Sequence, residues 1–229
     1  MIKNKKILIV GAGGFIGGHL VKKLLGDGNS IVASDIKPKE YWFQDIDEAE
    51  NHYAMDMKDI SNCRKVTKGV DYVFNMACNM GGMGFIENNK AECMQSVLIN
   101  TNLLIACKED KVKKYFFSSS ACAYNKSKQQ DVFIEGLKEE DAYPADPEDG
   151  YGWEKLFSER MCRHFMEDYG IEVRIARYHN IYGPYGTYDG GREKAPAALC
   201  RKVIIAKKDN KNKIEVWGDG KQTRTFLYV

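Results

Sequence analysis

Short apolar runs alternate along this chain with longer stretches in which apolar residues recur every three or four positions. Continuous apolar runs of four to seven residues are typical of parallel strands buried on both faces. Six runs of this kind are predicted as strands and lie at 6–10, 30–34, 53–56, 71–77, 114–117 and 172–177. Helical spacing follows at 15–25, 89–110 and after 151. The alternation predicts an α/β fold with a doubly wound parallel sheet.

A glycine-rich turn, 11–17, follows the first predicted strand at once and opens the first helix. Gly11 permits a tight turn, Gly14 lets the backbone approach a pyrophosphate, and Gly17 lets the helix pack close to the sheet. Phe15 and Ile16 lie between the last two glycines. The turn predicts a Rossmann-type dinucleotide site to which all five residues contribute.

Two acidic residues extend this prediction. Asp35 ends the second predicted strand, 18 residues after Gly17, where a carboxylate can bind a ribose diol and repels a 2′-phosphate. The expected cofactor is therefore NAD, although Lys37 brings a cation close to the same position. Asp56 ends the third predicted strand, where a carboxylate can meet the adenine amino group or can simply form a turn.

Tyr151 and Lys155 are four residues apart at the start of a predicted helix, so they share one face. The helix is expected to carry an apolar stripe of Trp153, Leu156, Phe157, Met161 and Phe165. An ammonium near a phenol favours the phenolate and lowers the tyrosine's pKa. Tyr151 is therefore the predicted general base, with Lys155 as its partner.

Other polar or glycine-rich groups also follow predicted strands. Gly81 lies in a loop of three glycines after the fourth strand, which suits close approach by a ligand or a flexible loop. Ser120 and Cys122 follow the fifth strand, and Asn180 follows the sixth. Ligands of open parallel sheets bind outside the carboxyl ends of the strands, so these residues are expected at one site.

Composition narrows the function classes. The net charge of +2 over 229 residues, without a long basic run, favours neither nucleic acid nor a membrane surface. The seven cysteines include no Cys-x-x-Cys pair, which predicts a reducing cytoplasm and no metal site. No apolar stretch is as long as a membrane span.

Together the glycine turn, the serines after the fifth strand and the Tyr-x-x-x-Lys helix resemble the extended short-chain dehydrogenase/reductase family of nucleotide-sugar enzymes. The resemblance covers essentially the whole chain. It implies that Tyr151 takes the proton of a sugar hydroxyl while NAD takes the hydride, and that Lys155 also holds the nicotinamide ribose.

A narrower resemblance, to the GDP-mannose 3,5-epimerases, rests on 80–85, 119–122, 178–184 and 190–198. It implies that Cys122 and Lys194 are an acid/base pair. It also implies a GDP-mannose site and a homodimer. The residues that it places at the substrate are Gly81, Ser120, Cys122, Asn180, Lys194, Lys202, Gln222 and Arg224.

The implied chemistry is consistent with these residue types. Oxidation of C4 of the hexose to a ketone makes the C–H bonds at C3 and C5 acidic, and inversion then needs an acid and a base on opposite faces. A cysteine and a lysine suit these roles, and Arg192 is expected to lower the pKa of Lys194. Lys202 and Arg224 could neutralise a diphosphate.

Two alternatives stay open: a 4-epimerase or 4,6-dehydratase of another nucleotide sugar, and an NAD-binding protein without catalysis. A dehydratase would want an acid beside Cys122, and the sequence around that cysteine has none. The expected domains are an NAD-binding unit, 1–177, and the start of a substrate domain, 178–229. Enzymes of this kind continue further, so the substrate domain is expected to be incomplete.

Overall fold

The computed structural model describes residues 1–130, 136–221 and 223–229. Its main sheet has six parallel strands in the order β3-β2-β1-β4-β5-β6. The strands are β1 Lys6–Val10, β2 Ser30–Ser34, β3 Glu50–His52, β4 Tyr72–Asn75, β5 Lys114–Ser120 and β6 Glu172–Tyr178. The strand order reverses between β1 and β4, which creates the crevice where such sheets bind ligands. The predicted Rossmann-type fold is confirmed.

Seven α-helices connect and flank the strands in the described part of the chain. They are α1 Phe15–Gly26, α2 Ile60–Val66, α3 Met83–Asn88, α4 Lys90–Met94, α5 Ser96–Glu109, α6 Asp149–Tyr169 and α7 Ala195–Lys208. The single helix predicted over 89–110 is divided in two at Gln95.

The core lies on both faces of the sheet, because successive residues of a strand point to opposite sides. Ile7 and Ile9 of β1 pack with Val21 of α1 on one face. Leu8 packs with Leu103 of α5 on the other. Burial on both sides explains why β1 is a continuous apolar run.

The third strand was predicted at 53–56, but the structure has it at Glu50–His52. Strand pairing stops there because the chain turns: Ala54 has φ +53°, and the N–H of Met55 bonds to the carbonyl of Asp35 at 2.9 Å. The residues of the predicted strand therefore form the turn that follows β3, and Asp56 lies beyond it.

Residues 38–52 are rich in acidic and aromatic side chains, yet three of them are buried. Gln44, Ile46 and Ala49 are buried, and Ile46 and Ala49 join the core beside α1. Trp42 packs against the same cluster. Charged residues mask these contacts in the sequence, because they alternate with the buried positions.

Beyond β6 the chain forms a second sheet of two parallel strands, β7 Asn180–Tyr182 and β8 Phe226–Tyr228. The segment after β7 folds back on α1, where a ring nitrogen of His19 lies 3.0 Å from the carbonyl oxygen of Pro184. No helix in the described residues is long and apolar enough to cross a lipid bilayer.

Candidate active site

A cleft of about 910 Å³ opens at the carboxyl ends of the strands and brings most of the predicted residues together. Those that line it are Gly11, Gly14, Phe15, Ile16, Gly17, Asp35, Asp56, Ser120, Tyr151 and Lys194. The cleft is large enough for a dinucleotide or another drug-sized ligand. Gln222 lies outside the described residues.

The glycine turn has little room for side chains except on one side. Gly11 has φ +84°, and a Cβ there would lie 2.9 Å from the amide nitrogen of Ala77. A Cβ on Gly17 would collide with the carbonyl oxygen of Gly11, so this glycine lets α1 start directly over the turn. A Cβ on Gly14 would meet only that oxygen, at 3.1 Å. The turn thus keeps an open face at Gly14, at the amino-terminal end of α1.

The Asp35 carboxylate is fixed by two backbone amides. It accepts hydrogen bonds from Gly13 N at 3.0 Å and Lys37 N at 2.9 Å. Burial raises the pKa of Asp35 in spite of these bonds and the nearby Lys37 charge. The Lys37 ammonium lies 4.0 Å above the ring of Phe43, and burial lowers its pKa. A carboxylate and a cation therefore both line the predicted ribose end of the cleft.

Asp56 forms the turn that was considered for it and also lies at the cleft. Its Oδ1 accepts a hydrogen bond from Lys58 N at 2.9 Å, as in an aspartate turn. Its side chain also lines the cleft.

Two glycines clamp the start of α6 onto its neighbours. A Cβ on Gly152 would collide with the carbonyl oxygen of Cys122, and one on Gly150 would lie 2.5 Å from that of Lys90. The N–H of Glu148 donates to the Cys122 carbonyl at 3.0 Å. These contacts set Tyr151 beside the short 3-10 turn Ala121–Ala123 that follows β5.

Tyr151 is 5 % exposed, and it lines the cleft together with Ser120. Burial raises the pKa of Tyr151 well above its usual value, so the predicted lowering by Lys155 is wrong. The Lys155 Nζ lies 5.5 Å from the tyrosine ring centre, but only 3.5 Å from Oε2 of Glu154. Desolvation of the phenolate therefore outweighs any help from the lysine.

The predicted apolar stripe of α6 is confirmed in part, because Leu156 is buried and Met161 and Phe165 pack against the core, but much of the buried face is polar. Trp153 and Phe157 of that stripe are 45 % and 52 % exposed. The face turned into the protein carries Tyr151, Glu154, Lys155, Ser158, Glu159 and Cys162. These residues share helical spacing with Tyr151, so their positions in the sequence already marked them as its neighbours.

A buried ion pair supports this face. Glu159 accepts hydrogen bonds from Arg177 Nε at 2.9 Å and Nη2 at 2.7 Å, and from the Ser119 hydroxyl at 2.5 Å. Arg177 also donates to the carbonyl of Glu139 at 2.7 Å. The pair ties α6 to the ends of β5 and β6, and nothing in the sequence motifs pointed to it.

The charge of Lys194 acts on the Cys122 thiol. Burial raises the pKa of the Cys122 thiol, whereas the Ser120 hydrogen bond and the Lys194 charge lower it. The charge of Glu148 also acts on this thiol. The sequence offered no acid beside Cys122, and the fold supplies one from the start of α6.

The glycines after β4 approach protein rather than open space. A Cβ on Gly81 would lie 2.7 Å from the Phe85 side chain and 3.2 Å from that of Arg192, and one on Gly82 would lie 2.9 Å from the carbonyl oxygen of Glu193. The Arg192 guanidinium stacks 3.8 Å from the Phe85 ring centre. It donates to Asn79 Oδ1 at 3.0 Å and to Met80 O at 3.1 Å. Arg192 thus holds the segment before Lys194 onto this loop. Its charge also helps to lower the pKa of Lys37.

The remaining predicted residues lie away from the cleft lining. Lys202 donates to the carbonyl of Glu215 at 2.8 Å. Asn180 donates to the carbonyl of Thr225 at 3.1 Å, and Arg224 is exposed. The structure therefore does not bring Lys202 and Arg224 together with the catalytic candidates.

The residues of the cleft fit a dinucleotide. The open face at Gly14 suits a pyrophosphate, and the fixed Asp35 carboxylate suits a ribose diol. The ammonium of Lys155, one helical turn beyond Tyr151, is fully buried, does not line the cleft, and has no hydrogen-bond partner among the described residues. Buried ammonium groups need partners, and this one lacks a hydrogen-bonded partner in the described residues.

The sequence pattern of the NAD dependent epimerase/dehydratase family matches residues 7–229. The chain belongs to this family. NAD is accordingly its cofactor. Among solved structures, UDP-glucose 4-epimerase from Thermotoga maritima has the same fold, with a TM-score of 0.84 at 23 % identity over 97 % of this chain and 69 % of that one.

Two curated relatives are more similar in sequence. GDP-mannose 3,5-epimerase from Arabidopsis thaliana is 47 % identical over 99 % of this chain and 59 % of its own length. GDP-mannose 3,5-epimerase 1 from Oryza sativa subsp. japonica is 48 % identical over 98 % of this chain and 58 % of its own length. The chain thus spans somewhat less than three fifths of these relatives.

Proposed function

We propose that this chain is part of a nucleotide-sugar epimerase that acts as a GDP-mannose 3,5-epimerase. The observation that carries the proposal is the position of Cys122 next to Tyr151 and within electrostatic reach of Lys194. Tyr151 and Lys194 line the cleft, and Cys122 packs against the cluster that contains Tyr151. Identity of 47 % to a GDP-mannose 3,5-epimerase supports the choice of sugar nucleotide.

NAD, when bound, supplies the acceptor for hydride removed from C4 of the hexose. Tyr151 takes the proton of the C4 hydroxyl through its phenolic oxygen, with Ser120 orienting the same hydroxyl. Because burial raises the pKa of Tyr151, this proton transfer needs positive charge close to the phenol. Lys155 is the cation on the same helix face, and it also holds the nicotinamide ribose.

Once C4 is a ketone, Cys122 and Lys194 exchange protons at C3 and C5 from opposite faces of the sugar. A thiol must lose its proton to act as a base. Lys194 and Ser120 favour the thiolate of Cys122 against the effect of burial. Gly81, Asn180, Lys202, Gln222 and Arg224 are proposed to contact substrate by resemblance alone.

Proton exchange with solvent tests the acid/base assignment. With GDP-mannose in D₂O, the complete protein is expected to place deuterium at C3 and C5, and NMR of the recovered sugar measures it. Cys122→Ala should still reduce NAD yet incorporate deuterium at least about a hundredfold more slowly, as typical for loss of an acid/base group. Cys93→Ala, a buried cysteine of the same cluster, is the control. Parental exchange in Cys122→Ala would remove the epimerase assignment.

Tyr151→Phe tests the oxidation step. The variant should bind NAD nearly as tightly as the parent, because the phenol serves proton transfer and not cofactor binding. Formation of NADH from bound sugar, followed at its near-ultraviolet absorbance, should fall at least about a hundredfold. Tyr169→Phe, at the exposed end of α6, should behave as the parent. A near-normal rate in Tyr151→Phe would place the base elsewhere.

The alternative of a 4-epimerase or dehydratase draws on one observation. The charge of Glu148 acts on the Cys122 thiol, so an acid is present beside the loop after β5. A dehydratase would eliminate water and release a deoxy-keto sugar, whereas an epimerase conserves mass. Mass spectrometry of the product therefore separates the two activities. If the protein binds NAD but turns over no nucleotide sugar, the result supports the alternative of an NAD-binding protein without catalysis.

We propose a homodimer formed through α4, α5 and α6. These helices pack side by side and expose large apolar side chains, namely Met94, Leu98, Trp153 and Phe157. Burying such side chains is favourable, which supports self-association. Phe157→Glu should lower the mass found by sedimentation, whereas Leu199→Glu on α7 should not. An unchanged mass for both variants would refute this interface.

The proposed domains are 1–177, which binds NAD, and 178–229, which belongs to the substrate domain. The end of the six-stranded sheet at Tyr178 and the separate sheet of β7 and β8 support this division.

A reducing location such as the cytoplasm is proposed because all seven cysteines are free thiols.

A further inference from the structure

The buried face of α6 places a carboxylate directly beside the lysine of the Tyr-x-x-x-Lys pair. Glu154 is 2 % exposed, and its Oε2 lies 3.5 Å from Lys155 Nζ. Its other oxygen accepts a hydrogen bond from the Ser158 hydroxyl at 3.1 Å. Among the described residues, neither Oε2 nor Nζ has a hydrogen-bond partner. Each charge therefore has the other as its nearest compensation.

Two buried charges of opposite sign depend strongly on each other. An ammonium moved out of water loses several kcal/mol of solvation, so it keeps its proton only where a counter-charge compensates. Lys155 otherwise contacts rings, with Phe117 4.8 Å and Tyr151 5.5 Å from its Nζ. The remaining titratable groups that face this pair are Cys78 after β4, Cys93 on α4, Cys122 after β5 and Cys162 on α6. Among the described groups that face the pair, Glu154 supplies the carboxylate, and Cys78 is the other group whose charge acts on Lys155.

We propose that Glu154 is a positioning residue that keeps Lys155 protonated and fixed for the nicotinamide ribose. The inference rests on the proposed function, which assigns Lys155 to the cofactor. Glu154 itself need not touch the cofactor or the sugar. Ser158 contributes to this positioning, because its hydroxyl orients the Glu154 carboxylate.

The sign of the expected effect follows from the two influences on the lysine. Burial lowers the pKa of Lys155, but the charges of Cys78 and Glu154 outweigh burial and raise it. Without the carboxylate, burial would have less opposition and the pKa of Lys155 would fall. The lysine would then lose its proton at a lower pH, and NAD binding would weaken at alkaline pH while staying intact near neutrality.

Glu154→Gln tests this, because it keeps the shape of the side chain and removes its charge. NAD affinity of the complete protein is measured by calorimetry from about pH 6.5 to about pH 9.5, a range chosen to lie below the usual lysine pKa near 10.4. The parent should vary by less than about threefold. The variant should match the parent within about threefold at the lower pH and bind at least about tenfold more weakly at the upper one, which requires that the pKa of its lysine fall to about one unit below that upper pH.

The shape of the pH profile distinguishes a positioning role of Glu154 from a purely structural one. A Glu154→Gln profile parallel to the parental one, whether equal or uniformly weaker, overturns the proposal, because a purely structural residue would act at every pH. Should circular dichroism show this variant unfolded, Ser158→Ala carries the test, with weakening confined to alkaline pH expected and a parallel profile overturning the proposal.

Lys155→Met separates failure of this inference from failure of the proposed function. It should bind NAD weakly and without pH dependence over the same range. If Lys155→Met binds NAD as the parent does, the cofactor role of Lys155 is wrong and the role of Glu154 is refuted with it. If Lys155→Met is weak while Glu154→Gln parallels the parent, only the role of Glu154 is refuted. No sugar nucleotide is needed in either measurement.

Discussion

Arg177→Met removes the cation of the buried ion pair that supports the catalytic face of α6. The arginine forms a bidentate pair with Glu159, and the two side chains are 14 % and 10 % exposed. The methionine keeps much of the apolar length but none of the donors. Glu159 is then left as a buried carboxylate whose remaining hydrogen bond comes from Ser119.

The chain contains a second pair of the same geometry, which serves as a matched control. Arg64 donates to Glu109 through Nε and Nη2, both at 2.8 Å, but these side chains are 51 % and 42 % exposed. Removing one partner of a buried pair costs roughly 3–5 kcal/mol, whereas an exposed pair contributes about 0–1 kcal/mol. For a chain of this size each kcal/mol shifts Tm by roughly 2–4 °C, so Arg177→Met should lower Tm by roughly 6–20 °C.

Urea unfolding followed by circular dichroism, together with thermal melting, measures both variants. Arg64→Met should leave the free energy of unfolding close to the parental value, because solvent screens this exposed pair. In the Arg177→Met/Glu159→Gln double variant, part of the loss should be recovered, because the uncompensated charge is gone. Equal costs for Arg177→Met and Arg64→Met, or no recovery in the double variant, would refute the claim that desolvation of Glu159 sets the magnitude.

Three further predictions concern the cleft. Because burial raises the pKa of Asp35 above its usual 3.8, NAD affinity should fall as the pH is lowered toward that raised pKa, and Asp35→Asn should remove this dependence in fluorescence titrations. In competition binding the parent should have a higher affinity for NAD than for NADP, and Asp35→Asn should reduce the ratio of the two affinities. Equal parental affinities would mean that the charge of Lys37 offsets the repulsion between Asp35 and a 2′-phosphate. Gly152→Ala should lower kcat for GDP-mannose at least about tenfold through its collision with the Cys122 carbonyl, whereas Gly84→Ala, which meets nothing within 4 Å, should leave kcat unchanged.

Much of the fold could be predicted from sequence because strands buried on both faces leave an unmistakable pattern. Continuous apolar runs located five of the six strands to within a few residues. The glycine turn and Asp35 were equally accessible, since their positions relative to β1 and β2 follow from chain connectivity. Such features depend on local spacing, which the sequence shows directly.

The errors arose where tertiary contacts override local pattern. Leu156 of the predicted stripe of α6 is buried, yet Trp153 and Phe157 are exposed and much of the buried side is polar. The pKa of Tyr151 depends on desolvation, which no spacing of residues reports. Glu148 reaches Cys122 only through the fold, because 26 residues separate them in the sequence. Contacts of this kind form only when the fold brings distant residues together.

The mixed polarity of the buried face of α6 affects which substitutions this helix tolerates. The inward side of its first half is constrained by proton transfer and the outward side by the proposed subunit contact, while Gly152 leaves no room for any larger residue. Neutral replacement should therefore be rare over the first two turns of this helix. It should be frequent in the last turns, where Arg163, His164 and Glu167 are exposed and contact one another. A library randomised along α6 should show this polarity as a gradient of surviving substitutions from one end of the helix to the other.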